Sequence, residues 1–321
     1  MEGKNTLILL AMIIAFFTTL FIGKQQVAAS GSTYTSTNKQ ITSKAVSDEV
    51  AVETEDKILL NKQLLEYKLI RIKENLKSQV ELDDLEKRIR ALVGKDISNF
   101  GMVYYDINSK KTIEINADKQ FIAASTIKVP INMLMYDMIQ DEEININEKL
   151  KFIEDDYEDG AGVLQSNELE KPIAIKTLSD YSIKYSDNIA INMLLRKVGS
   201  ENRYDYIQEI AGHPIAHEGN AITPMVSFKI LERLYTNPDG NKYYSALVET
   251  MKKTEYHDRI DKYIPKEIVA HKIGDFGEYV NDVGIICKEE NPYIFVVFTK
   301  EIPEATEVIA KVSKMIYDAQ K

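Results

Sequence analysis

Ser125 and Lys128 stand three residues apart, where the apolar run ending in Ala123-Ala124 gives way to Ile131, Leu134, Met135, Met138 and Ile139 at helical spacing. A helix that starts at Ser125, or just before it, sets the hydroxyl and the amine one turn apart on one face. It also sets Ser125 beside backbone N–H groups that have no intrahelical partner. A serine hydroxyl is a poor nucleophile until a base takes its proton, and a lysine desolvated at a helix start can lose enough proton affinity to be that base. Pro130, which has no N–H, fits the first turn only if the helix begins about here. The bland alternative is a capping serine followed by a surface lysine, and patterns of four residues recur by chance. The decision falls to the other chemistry-bearing residues.

Two further groups follow. Tyr185-Ser186-Asp187-Asn188 precedes a helical run from Ala190 to Leu195, a loop-to-helix corner whose side chains can face a cleft. Lys272-Ile273-Gly274 follows the strand-like Ile268–His271, and a glycine on a strand lets another backbone or a ligand approach closely. Each group alone reads as ordinary cap or strand. Together, in this order, they resemble the S-x-x-K, S-D-N and K-T-G set of class A β-lactamases and related penicillin-recognising enzymes. Ala124–Val129, Tyr185–Ala190, Thr223-Pro224 ahead of a helix, and Asn281–Ile285 on the next strand extend the likeness across about Glu81 to Lys321.

The resemblance implies an acyl-enzyme mechanism in a cleft between two subdomains. Ser125 would be acylated, Lys128 would help remove its proton, and Ser186 would relay a proton to the leaving nitrogen. Asn188 would hold a substrate amide, Lys272 would supply positive charge, and Gly274 would line the substrate. The N–H groups of Ser125 and Asp275 would form the oxyanion hole. Two departures stand out. The E-x-x-L-N element that frees the acyl-enzyme in the family's lactamases is absent, Glu218 being the only carboxylate in the shortened connection Ala211–Asn220. Ile273 stands where the family places a hydroxyl for the substrate carboxylate. The expectation is a serine hydrolase acting on a β-lactam or a D-Ala-type peptide, with slow deacylation. The competing class is a non-catalytic, tethered module of the same fold that binds cell-wall peptides or a protein.

The elements that would position these groups can be read from periodicity. Leu82, Leu85, Ile89 and Leu92 mark an amphipathic helix closed by Gly94, and Phe100–Ile107 and Thr112–Ile115 flank a hairpin turn at Asn108–Lys111. Helical signals run from Ser125 to about Tyr235. Strand-like runs return at Ile268–Ile273, Tyr279–Cys287 and Tyr293–Thr299, and a last helix opens at Pro303. The fold class is α/β of the α+β type: one antiparallel sheet built from both ends of the domain, flanked by helices, with an inserted helical subdomain.

Ahead of this domain, at 79–321, three segments are expected. Residues 1–29 hold the apolar run Leu7–Ile22, read as a signal anchor or a signal peptide, so the chain is exported or membrane-anchored. Residues 30–54 are a Ser/Thr-rich tether. Residues 55–78, striped by Ile58, Leu65, Leu69, Ile72 and Leu76, form a stalk that could dimerise weakly, a helix lying on the domain surface, or a spacer.

Composition excludes several classes. A net charge of −10 over 321 residues, without clustered Lys and Arg, argues against nucleic acid. Four histidines and one cysteine leave little for metals, and no cofactor is expected. Cys287 is alone and reads as a buried thiol. His213 and His217 have helical zinc spacing, but Gly212 and Pro214 argue for a loop and no third ligand suggests itself. Glu154–Gly160 is acidic without EF-hand spacing and reads as a solvated loop. Asp275-Phe276-Gly277 is a turn after a strand.

Overall fold

The computed structural model describes residues 42–166, 169–217 and 219–320. The chain divides into two units between Leu69 and Ile70. In the first unit the described backbone is helical throughout, as part of helix α1 (Thr42–Val93). The tether expected over 30–54 is therefore helix from Thr42 onward, and its earlier part, like the apolar run Leu7–Ile22, lies outside the described residues. Leu65 and Leu69 of the expected stripe are exposed, as are Leu59, Leu60 and Leu64 beside them. No helix among the described residues is long and apolar enough to cross a membrane.

In the second unit the last turns of α1 bury Leu82, Leu85 and Ile89, while Val93, not Leu92, completes the inward face. Strands β1 (Phe100–Asp106) and β2 (Thr112–Ile115) form the expected hairpin, with Met102 opposite Ile115. Short strands β3 (Phe121–Ile122) and β6 (Ala221–Ile222) pair with each other, as do β4 (Lys149–Leu150) and β5 (Ile173–Ala174). Strands β7 (Val269–Phe276), β8 (Tyr279–Ile286) and β9 (Tyr293–Lys300) complete an antiparallel sheet of order β2-β1-β9-β8-β7. The N-terminal hairpin thus joins the C-terminal strands through β1 and β9, Phe100 lying opposite Thr299.

Between the two halves of the sheet run helices α2 (Lys128–Gln140), α3 (Ile175–Lys184), α4 (Asn188–Val198), α5 (Asn202–Ala211), α6 (Pro224–Thr236) and α7 (Tyr244–Met251); α8 (Ala305–Ala319) closes the chain. The period-2 alternation of the central strand sorts its side chains. Ile294, Val296 and Phe298 of β9 join the core shared with α2–α7, while Tyr293, Phe295 and Val297 join a second core with α1 and α8. Thr223 caps α6 through Oγ1, which accepts from Val226 N, and Pro224 takes the first helical position, as the sequence suggested. Two solvation expectations change. Asp156, in the acidic segment, is buried and paired with Arg196 Nε at 2.8 Å, and Cys287 is only half-buried.

Candidate active site

Ser125 lies in a 3-10 turn, Ala124–Ile127, that runs directly into α2. It does not cap the helix, since no side chain caps this turn. The residue before it, Ala124, has φ of 49°, in the left-handed region that costs a non-glycine about 1–3 kcal/mol. The turn is over-determined from outside. Thr126 Oγ1 donates to Ala123 O at 2.8 Å, and Asn281 Nδ2 on β8 donates to Ile122 O at 2.9 Å.

Gly274 passes so close to this turn that a Cβ on it would stand 2.6 Å from Ala123 O and 3.1 Å from Ser125 N. Only glycine lets β7 lie against the residue that carries the hydroxyl. Lys128, one helical turn on, is 4% exposed. Its Nζ donates to Ser186 O at 2.6 Å and Asn188 Oδ1 at 2.7 Å, with Ser186 Oγ at 3.3 Å. Burial pulls its pKa down to about 8, against the opposing pull of Glu158 and Asp187. Lys272 Nζ reaches the same hydroxyl from β7, 3.0 Å from Ser186 Oγ, and donates to its neighbour's carbonyl, Ile273 O, at 2.9 Å. Burial and then the nearby Lys128 hold Lys272 well below the usual ammonium range. Ser186, itself left-handed at φ 53°, is therefore a hydroxyl bridging two amines with lowered proton affinity.

Asp187 holds the corner from behind. Its Oδ1 caps α4 by accepting from Ala190 N at 2.8 Å, and its Oδ2 accepts from Val163 N at 2.7 Å and Leu164 N at 2.8 Å. Asn188 adds a bond from Nδ2 to Asp159 O at 3.1 Å. The structure thus brings together Lys128, Ser186, Asn188 and Lys272, and lays Gly274 against the Ser125 turn. It does not join Ser125 to Lys128: among the described residues no side chain hydrogen-bonds Ser125 Oγ. In a resting site this is ordinary, because such bonds tighten with substrate. Asp275 is tied in through its side chain. Both its oxygens accept from Arg259 Nη2 at 2.7 Å, while Arg259 Nη1 donates to Asn281 O at 2.8 Å. Glu218 lies outside the described residues.

The sequence profile described as the beta-lactamase enzyme family matches residues 84–320. The chain belongs to that family. VEB-1 β-lactamase of Pseudomonas aeruginosa is 25% identical over 264 residues, covering 73% of this chain and 88% of its own length. BRO-1 β-lactamase of Moraxella catarrhalis is 26% identical over 299 residues, covering 82% and 88%. A mutant of PBP-A, solved as an acyl-enzyme complex with penicillin G, is 25% identical with a TM-score of 0.68, covering 74% of this chain and 96% of that one. Membership in the beta-lactamase family sets this chain among serine hydrolases that act through an acyl-enzyme.

Within this beta-lactamase-family site, sequence reasoning missed Asp187's clamp, Arg259, and the Asn281 hold on the Ser125 turn. Asn281 and Asp187 lay inside the quoted motifs, where residue type alone carried no signal of what they hold. Removing Asp187 strands three N–H donors, so Asp187→Ala is expected to cost about 3 kcal/mol, roughly 10 °C in Tm by differential scanning calorimetry. Asp187→Asn, which keeps one acceptor oxygen, should cost about half as much.

Proposed function

We propose that this protein is an extracytoplasmic serine acyl hydrolase in which Ser125 is acylated by a β-lactam or a related cell-wall amide and released slowly. The observation that carries the reading is the Lys128–Ser186–Lys272 network at the end of the Ser125 turn. Neutral Lys128 takes the Ser125 proton as the hydroxyl oxygen bonds to the substrate carbonyl carbon. As the carbonyl C–N bond breaks, the proton passes through Ser186 to the departing nitrogen. The N–H groups of Ser125 and Asp275 hold the oxyanion. Slow release is supported by the lack of an E-x-x-L-N element, and a place outside the cytoplasm by the apolar run Leu7–Ile22. Membrane anchoring through that run, and weak dimerisation through 55–78, belong to the same proposal. The exposed leucines from Leu59 to Leu69 favour the latter.

Intact-mass spectra test the core of it. Incubation with penicillin G is expected to give one long-lived adduct per chain on the wild type and none on Ser125→Ala. Equal adducts on both would overturn the assignment. A wild type that reacts with neither penicillin G nor a fluorophosphonate would favour the binding module, because only a primed nucleophile reacts.

The site also bears on which substrates fit. Ile273 offers no hydroxyl, and the Arg259 guanidinium beside it is already neutralised by Asp275. The Arg259 charge is therefore not free to meet a substrate carboxylate. Asp275→Ser is expected to speed acylation by carboxylate-bearing penicillin G about tenfold, equivalent to ~1.4 kcal/mol, and to leave a neutral ester substrate nearly unchanged. Stopped-flow acylation with the two substrates checks the difference.

A further inference from the structure

On the face of β7 opposite Lys272, His257, Asp261 and His271 each bring one ligand atom to within 4.8 Å of the others. His271 and Asp261 are fully buried, and His257 closes the cluster at the surface, 34% exposed. Asp282 on β8 fixes the His271 ring: Nδ1 donates to both its oxygens at 3.0 Å. Ile260 N steadies Asp282 Oδ2 at 3.1 Å. Gly284, opposite His271 in the sheet, leaves the space the ring needs, since a Cβ there would stand 3.0 Å from His271 Cβ.

Held this way, His271 Nε2 faces Asp261 Oδ2 at 3.5 Å, too far for a good hydrogen bond. Among the described residues Nε2 and Asp261 Oδ1 find no hydrogen-bond partner although both are buried, a rare condition that a bound ion would explain. The 3.5 Å separation is close to the edge, about 3.4 Å, of a tetrahedron built on zinc–ligand bonds of about 2.0–2.1 Å. Charge points the same way. Asp261 and Asp282 are two buried carboxylates, and the nearby Arg259 is committed to Asp275. One divalent cation with two neutral imidazoles balances them.

We propose that His257, Asp261 and His271 bind one zinc ion, with Asp282 as the carboxylate that orients His271. Two nitrogens and one carboxylate oxygen are a zinc donor set, and a ligating histidine whose other nitrogen donates to a carboxylate is the usual support for it. His257 Nδ1 hydrogen-bonds Asp261 Oδ2 in the structure; on zinc binding the His257 proton is carried on Nε2, any second proton on His257 or His271 is released to solvent, and both imidazoles are left neutral. The competing state is a protonated His271. Burial disfavours it, but Asp282 and Asp261 outweigh burial and raise the imidazole to about 9. The zinc would brace the segment between α7 and β7. That segment also carries Arg259 and Tyr256, whose OH donates to Tyr185 O at 3.0 Å beside Ser186.

The test needs no substrate. The full-length chain is stripped with EDTA and titrated with Zn(II) against a chromophoric chelator, with metal analysis of the dialysed product. One zinc per chain is expected, with a rise in Tm on loading. His257→Ala, chosen because His257 sits at the surface and its loss leaves the buried pair in place, should weaken binding about 100-fold and abolish the rise; Asp282→Asn should weaken it about 10-fold. His217→Ala, in the loop histidine pair, should change nothing. Less than one zinc per chain, binding untouched by His257→Ala, or binding lost with His217→Ala would each overturn the site and leave the cluster a buried imidazolium between two carboxylates.

Discussion

Replacing Lys128 with methionine is expected to slow acylation of Ser125 about 10³-fold, the usual scale for loss of a positioned general base. It should also remove a pH dependence. In the proposed mechanism the base is the neutral amine, so the second-order rate of acylation should climb about tenfold per pH unit up to about 8, the value to which burial lowers Lys128, and level off above it. The variant should show no inflection there. Stability should move the other way. Because the folded-state pKa lies below that of an unfolded lysine, the unfolded chain holds more protons between about pH 8 and 10.5, and below pH 8 the folded protein carries the full penalty. That penalty is about 3 kcal/mol, and methionine removes it while giving up the bonds to Ser186 O and Asn188 Oδ1, about 1 kcal/mol each. The variant should thus melt no lower than the wild type at pH 7. A large fall in Tm would mean that Lys128 is structural, and an unchanged acylation rate that the base lies elsewhere.

Gly274→Ala is the second large effect. The new methyl would stand 2.6 Å from Ala123 O, a contact that only backbone can relieve. Either β7 or the Ser125 turn shifts by several tenths of an ångström, and Ser125 with its N–H leaves the alignment that acylation needs. A fall of about 10²-fold in the acylation rate is expected, with binding of a non-covalent ligand little affected. Gly277, whose added Cβ would meet nothing within 4 Å, is the control for generic glycine loss, although its φ of 56° gives Gly277→Ala a modest stability cost. Pre-steady-state kinetics on both variants separates misalignment from instability.

What the sequence disclosed follows the range of the interactions. The hairpin at Asn108–Lys111 and the alternating strands β7–β9 were legible because a period of two and a turn are local patterns. So was α2, whose apolar positions recur at helical spacing. The short α7 carried too few turns to declare itself, and the two-residue strands β3 and β6 exist only because each finds the other. In the site, the residue types and order of Ser125, Lys128, Ser186 and Lys272 drew attention to them, but the groups that hold them did not. Asn281 donates to Ala123 O across 158 residues, and no spacing rule reaches that far. The same holds for Asp261, which local reading treats as one more surface acid and which the fold buries beside His271.

The pairing of β1 with β9 has a consequence for how the protein comes into being. The strand between β1 and β8 is the last one made, so during synthesis Phe100–Asp106 has no neighbour on that side until about residue 300 has emerged. Loop closure over some 200 residues is entropically costly and slow. The helices from α2 to α7 can form early, but the sheet that carries Gly274 and Asn281 to the Ser125 turn cannot. A nascent chain therefore carries no assembled site, and the reactivity proposed for Ser125 waits on the final strand rather than on the residue that bears the hydroxyl.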